Sequence, residues 1–362
     1  MPSRRDVLRA ITLATVANPK ISLGATRDPK PNIVFVIVDD LNCCISPYTP
    51  EQGVISPNFE RLRNWGAMFE SACAAVPACS PSRTALLLGQ DPMKTEVFVN
   101  EQLWPDAKTA TTSATLVGHF RANGWTTEGT GKVFHGALRS SDWTDYWLPK
   151  DYADRDGPHS GSRIAASAAG ILHFDFGPGD VAAAPDIATT AWTIGRIRDG
   201  HLDNGGCFLA LGLNRPHLPL VVPQKYFDLY PERVTLPPGY WPGSTDIVGN
   251  RPDNEDIGHS AHVLQGAYGA RSWGERLTLH HELNDFLRAY YAASSFADDQ
   301  LGRVLDALEE RNLRENTYLV VASDNGYMLG EKETFTKFQL HEISLRVPLF
   351  IAGPGIAPRL VR

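Results

Sequence analysis

"NIVFVIVDD", Asn32 to Asp40, is the stretch that decides the fold. Every residue from Ile33 to Val38 is apolar and most are β-branched, with no polar residue alternating among them. A half-exposed strand alternates. An unbroken apolar run belongs to a strand covered on both faces, as in parallel sheets flanked by helices. Asp39 and Asp40 close the run at its carboxyl end, where open α/β sheets bind their ligands. "TYLVVASDNG", Thr317 to Gly326, repeats the design and ends in Asp324-Asn325.

Working outward, "CFLALGLNRPHLP" (Cys207–Pro219) reads as another buried strand, with His217 beyond its end. "VPLFIAGPG" (Val347–Gly355) reads as the last strand. Ser56-Pro57 opens a predicted helix that runs through "SPNFERLRNWGAMFESACA" before an extended stretch to Cys79. A second helix is expected to cap near Asn123-Gly124 and to lead into a strand reaching Lys132 and His135. The segment from about Gly136 to Gly205 predicts long insertions around a helix near Ala182–Arg198. Residues 231–280, rich in Pro and Gly, predict a surface excursion. The longest amphipathic pattern runs from Leu283 to Asn312.

The chain has 362 residues and a net charge of -7, with no basic block, so nucleic acid is not an expected partner. No run is long and apolar enough to predict a transmembrane segment. Five cysteines do not make a disulfide scaffold at this length, and the spacing leaves any pairing of Cys43, Cys44, Cys73 and Cys207 open. Arg4-Arg5, followed by an uncharged stretch from Ala10 to Ala17, resembles a twin-arginine export signal. Residues 1–30 are therefore expected to be a leader, residues 31–362 the catalytic domain, and the protein to be exported to the periplasm.

"ACSPSRTALLLGQ", Ala78 to Gln90, predicts a short helix with Pro81 in its first turn and Gly89 at its far end. Cys79 then sits at the helix N-terminus, where unpaired N–H groups favour an anion, and Arg83 adds a fork of donors one turn in. On this stretch alone, a buried structural cysteine beside a cap fits equally well. The acid pairs Asp39-Asp40 and Asp324-Asn325 offer oxygen ligands only, which suit calcium or magnesium rather than zinc.

In combination these motifs resemble the type I sulfatases of the alkaline-phosphatase-like superfamily, particularly the iduronate-2-sulfatase branch. The signature C-x-P-S-R stands at Cys79–Arg83, the metal pairs at "VDD" and "SDNG". "GKVFH" (Gly131–His135), "NRPHLP" and "KFQLHEISLRVPLFIAGPG" complete a match from about Asn32 to Gly355. The resemblance implies a large mixed, mostly parallel sheet sandwiched by helices. It also implies a smaller C-terminal domain, which such proteins carry beyond "VPLFIAGPG" and which this chain, ending at Arg362, is expected to lack.

The resemblance further implies that a maturation enzyme oxidises Cys79 to formylglycine, whose hydrate supplies the nucleophile. One calcium ion would be held by Asp39, Asp40, Asp324, Asn325 and the modified Cys79. Arg83 and Lys132 would neutralise the diol and the sulfate, His135 would serve as base during release, and His217 and Lys337 would contact sulfate and the leaving alkoxide. The other histidines (His119, His173, His201, His259, His262, His280, His281 and His341) carry no motif and read as structural or solvated. Asn325 stands where near relatives often carry histidine, and Leu88 where threonine is common; the Cys-x-Pro-x-Arg core is intact. The expected substrate is a sulfated saccharide such as a 2-O-sulfated uronate. A phosphoesterase or phosphonate monoester hydrolase, and an inactive glycan-binding relative, are the competing readings.

Overall fold

The computed structural model describes residues 30–110, 112, 114–149, 152, 176–179, 185–237, 283–331 and 336–362. The expected leader, the excursion from residue 238 onward, and His173, His259, His262, His280 and His281 lie outside the described residues. The strands are β1 (Asn32–Val38), β2 (Gly66–Phe69), β3 (Thr126–Gly131), β4 (Asp145–Trp147), β5 (Phe176–Pro178), β6 (Cys207–Leu213), β7 (Leu220–Val222), β8 (Thr317–Ser323), β9 (Leu349–Ala352) and β10 (Arg359–Val361). Eight of them form one sheet in the order β10-β2-β9-β8-β1-β6-β3-β4, and β5 pairs with β7 in a small second sheet. Within the large sheet β9 runs antiparallel to both of its neighbours, and every other pairing is parallel.

The apolar run of β1 is explained by cover on both sides. Val34, Val36 and Val38 join one core with Leu209, Leu211, Leu319 and Val321, packed under the helices Pro57–Arg63, Pro185–Arg198 and Leu283–Glu310. Phe35 and Ile37 face a second core with Phe208, Ala210, Leu87 and Val117, under the helices Cys79–Leu88 and Leu116–Ala122. Each core closes one face of the same strand, so neither register slip nor a polar residue is tolerated there. The long helix is tied to its neighbour by Asp298, whose carboxylate accepts the Asn58 and Phe59 N–H groups at 3.0 and 2.8 Å. This supplies the first turn of Pro57–Arg63 with the acceptor that its Ser56 side chain does not provide.

Three expectations need correction. The helix opened by Ser56-Pro57 stops at Arg63, and Gly66–Phe69 is a strand between β9 and β10. Gly66 is obligatory there, since a Cβ would lie 2.3 Å from the Ile351 carbonyl oxygen. "VPLFIAGPG" is not the last strand, because Arg359–Val361 adds a parallel edge beside β2. The strand expected to reach Lys132 ends one residue short, at Gly131, which pairs with Gly212. A Cβ on either glycine would lie 2.0 Å from the opposite backbone, so β3 and β6 close to contact with no side chain between them.

Register then brings the chemistry together. Val38 pairs with Leu213 on one side and Ser323 on the other. Asp39, Asn214 and Asp324 therefore leave the sheet side by side, with Lys132 following Gly131 on the next strand.

Candidate active site

The Cys79–Leu88 helix starts after an extended Ala78 and stops at Gly89, which takes the left-handed conformation at φ 61°. Every residue from Cys79 to Ala85 is buried. Cys79 Sγ lies 3.3 Å from Asp39 Oδ1 and 3.7 Å from Asp40 Oδ1, and it accepts a hydrogen bond from Lys337 Nζ at 2.7 Å. Lys337 Nζ also meets Asp40 Oδ1 at 2.7 Å. The first helical residue is thus the centre of a buried cluster of carboxylates and cations.

Arg83, one turn on, is 1% exposed and spreads its fork across three segments. Nε donates to Asp324 Oδ2 at 2.7 Å, Nη2 stands 3.5 Å from Asp39 Oδ1, and Nη1 donates to the carbonyls of Lys132 and Val133. Lys132 Nζ is in contact with Asp39 Oδ2. Asn325 Nδ2 donates to Asp40 Oδ1 at 2.7 Å. His217 Nδ1 lies 2.5 Å from the Leu218 carbonyl, which makes Nδ1 the protonated nitrogen and turns Nε2 toward Asp40 Oδ2, 3.8 Å away. Three carboxylates here face three fixed cations.

The electrostatics follow from burial and neighbours. Burial alone would raise the Asp39 carboxyl, but Lys132, His217 and Arg83 hold it well below the ordinary carboxylate range. At Asp324 burial prevails, and the carboxyl rises to about 6 despite Arg83. Burial, with Lys337 beside it, lowers His217 to about 4, so it is neutral. Burial works against the Lys337 ammonium, yet Asp40 and Cys79 keep it well above its ordinary value. Burial and the Asp39 charge push the Cys79 thiol well above its ordinary value.

Carboxylate oxygens of Asp39, Asp40 and Asp324 lie within 4.8 Å of one another. Asn325 Oδ1 is buried beside them, and no donor among the described residues reaches it. Four hard oxygen ligands, one of them lacking a partner, fit a calcium ion. Asp39, Cys79 and His217 form a second close group, which shares Asp39 with the first.

The sequence-predicted residues Asp39, Asp40, Cys79, Arg83, Lys132, His217, Asp324, Asn325 and Lys337 therefore converge. His135 is half-buried, three residues beyond Lys132 on the same turn. Sequence reasoning missed supporting groups. Ser82 Oγ donates to the Asp324 carbonyl at 2.5 Å, Asn100 Oδ1 accepts the Ser80 N–H at 2.9 Å, and Tyr290 Oη donates to the Asp40 carbonyl at 2.6 Å. Nothing in the sequence singled out Tyr290. His201 is structural as expected, meeting Glu128 Oε1 at 2.8 Å. All five cysteines are free thiols.

A large, mostly parallel sheet with a buried cluster of acids at its strand ends and a cysteine at a helix start sets the class, and comparison with known proteins specifies it. The sequence profile of the Sulfatase family matches residues 31–362, and the chain belongs to that family. It is 35% identical over 346 residues to a sulfatase from Formosa agariphila, covering 90% of this chain and 65% of that protein. Over 344 residues it is 30% identical to the iduronate 2-sulfatase of Mus musculus, covering 90% of this chain and 59% of that one. The chain thus spans about three fifths to two thirds of the length of these curated relatives. Among solved structures, a phosphonate monoester hydrolase of Agrobacterium radiobacter superposes with a TM-score of 0.69 at 20% identity, over 92% of this chain and 70% of that one.

Proposed function

We propose that the protein is a calcium-dependent sulfatase acting on a sulfated saccharide, with formylglycine at position 79. The observation that carries this reading is the setting of Cys79. Its Sγ touches two carboxylates and a lysine at once. As a thiol it is a poor nucleophile, because burial and Asp39 oppose its ionisation. The surroundings suit an oxygen nucleophile beside a hard cation better than a thiolate.

Asp39, Asp40, Asp324 and Asn325 would hold calcium, which when bound supplies a Lewis acid for a sulfate oxygen, while a hydrated aldehyde at position 79 supplies the attacking hydroxyl. The rest is done by the chain's own groups. Arg83 fixes Asp324 and Asp39 through its fork, so that the acids keep their spacing. Lys132 and Lys337 flank Asp39 and Asp40, leaving the centre overall cationic once a divalent ion is present and therefore ready for an anionic ester. Lys337 Nζ, 2.7 Å from the nucleophile's position, stabilises charge developing on the sulfate or the leaving oxygen. His217 is neutral in the free protein, and an anion beside Nε2 would raise its affinity for the proton it passes to the leaving alkoxide. His135 is assigned to take the proton from the remaining hydroxyl when sulfate departs.

The similarity to iduronate 2-sulfatase supports a 2-O-sulfated uronate as substrate. Arg4-Arg5 supports export to the periplasm after folding. The deciding experiment is sulfate release from sulfated uronides, an aryl sulfate and matched phosphate and phosphonate esters. The chain would be co-expressed with a formylglycine-generating enzyme and supplied with calcium, with Cys79→Ala as control. Sulfate release lost in the control is the expected result. Faster turnover of phosphonate esters would transfer the site to the sister class, and silence from formylglycine-bearing protein would favour a glycan-binding relative.

A further inference from the structure

We infer that Tyr290 is a positioning residue for the calcium site, because its hydroxyl holds the backbone turn that brings the Asp40 carboxylate to the same side as that of Asp39. The inference rests on the calcium reading above.

In an extended strand consecutive side chains point to opposite faces. Two adjacent acids at the end of β1 should therefore face away from each other, yet both reach one sulfur atom, at 3.3 and 3.7 Å. The backbone at Asp40 makes the difference: its φ is 61°, in the left-handed region. An L-residue there is strained and stays only when its surroundings hold it.

Three groups hold it. The Asp40 N–H donates to Asp324 Oδ1 at 3.1 Å, and the Leu41 N–H donates to Ser323 Oγ at 3.1 Å. Tyr290 Oη donates to the Asp40 carbonyl at 2.6 Å and accepts from the Asn42 N–H at 3.1 Å. The first group is itself a metal ligand and the second is its neighbour in sequence. Tyr290 alone enters from the helical layer, so it ties the turn to a part of the fold that calcium does not touch. Its ring is buried and lies 5.9 Å from that of Tyr327, whose carbonyl accepts Asn42 Nδ2 at 2.7 Å. Tyr290→Phe would keep the ring and leave the Asp40 carbonyl and the Asn42 N–H without their partner.

The test is calorimetric titration of calcium into the chelator-stripped full chain. Tyr290→Phe is expected to weaken calcium binding roughly tenfold, a fraction of what leaving the two buried groups unmatched costs the fold. Tyr230→Phe is the control. Tyr230 Oη makes comparable buried bonds, from the Ile55 N–H at 2.9 Å and with Ser295 Oγ at 2.6 Å, but away from the site. It should lose stability and keep its calcium affinity. Wild-type affinity in Tyr290→Phe overturns the inference while leaving the calcium reading intact, and an equal loss in Tyr230→Phe overturns it by assigning the effect to general loosening. Should Tyr290→Phe not fold, hydrogen exchange in the wild-type chain is read in its place: calcium that slows the Asn42 amide, bonded to Tyr290 Oη, more than the Ile55 amide, bonded to Tyr230 Oη, supports the inference, and equal slowing overturns it. A wild-type chain that binds no calcium removes the parent reading, and the inference with it.

Discussion

Arg83 Nε donates to Asp324 Oδ2 at 2.7 Å with both side chains out of solvent, at 1% and 0% exposure. Neither charge has water to replace its partner. Arg83→Ala should therefore destabilise the calcium-free protein by about 3 kcal/mol, the lower end for an orphaned buried ion, since Asp324 can relieve the loss by taking a proton. Arg83→Lys should recover only part of this, because one ammonium cannot span Asp324 and the Lys132 and Val133 carbonyls together. Urea midpoints of the three proteins check the order, and an Arg83→Ala midpoint equal to wild type would refute it.

Calcium should raise the melting temperature, because Asp39, Asp40, Asp324 and Asn325 come together only in the folded chain. At a hundredfold excess over the dissociation constant the stabilisation should be about 2.7 kcal/mol, removed by a chelator. Scanning calorimetry of wild type and Asp324→Asn, with calcium and with chelator, reads the effect. Equal calcium shifts in both proteins would place the ion elsewhere.

Lys337 contacts the atom at which chemistry is proposed, so Lys337→Ala should cost far more in rate than in fold. The expected loss in kcat/KM is on the order of 10²–10³, as for removal of one preorganised donor to developing charge. Steady-state kinetics on the formylglycine-bearing enzyme measure it. A loss confined to KM would make Lys337 a binding group that treats substrate and transition state alike.

Glu331 lies outside the site, and burial raises its carboxyl to about 7 although the Leu329 N–H donates to it at 2.6 Å. Its ordinary value is 4.5. Between these limits the folded chain binds the proton and the unfolded chain does not. The stability it contributes is thus complete below about pH 4.5 and is lost as pH rises through 7, by roughly 3 kcal/mol in all. Glu331→Gln, which mimics the protonated carboxyl, should flatten that part of the profile. Denaturant unfolding at pH 5 and pH 8 would show it, and an unchanged slope in the variant would remove Glu331 as the cause.

What could be read in the sequence follows from how local each signal is. β1 was legible because a strand covered on both faces must be apolar throughout, and Val34 and Phe35 face different cores. The Cys79 helix was legible because Pro81 and Gly89 punctuate it and because Gly89 takes the left-handed cap that glycine favours. Gly66–Phe69 was misread as helix because nothing local contradicts helix there; β9 and β10 make it a strand, and they lie nearly 300 residues away in sequence. Lys337 was reached only through resemblance, since it approaches Cys79 from outside any regular element. Tyr290 reads as core on an amphipathic helix, and its ring is core; the hydroxyl's task at Asp40 exists only in three dimensions.

The segment from Cys79 to Arg83 is helical and buried at every residue. A small ester needs only to insert its head group, but an enzyme that rewrites a side chain has to grip the peptide around it. In the finished fold there is no peptide to grip. If Cys79 is converted as proposed, conversion would come first and closure of the sheet second, which would give the assembly of this protein an order in time. On that reading, a molecule that folded too soon would be sealed with its thiol intact.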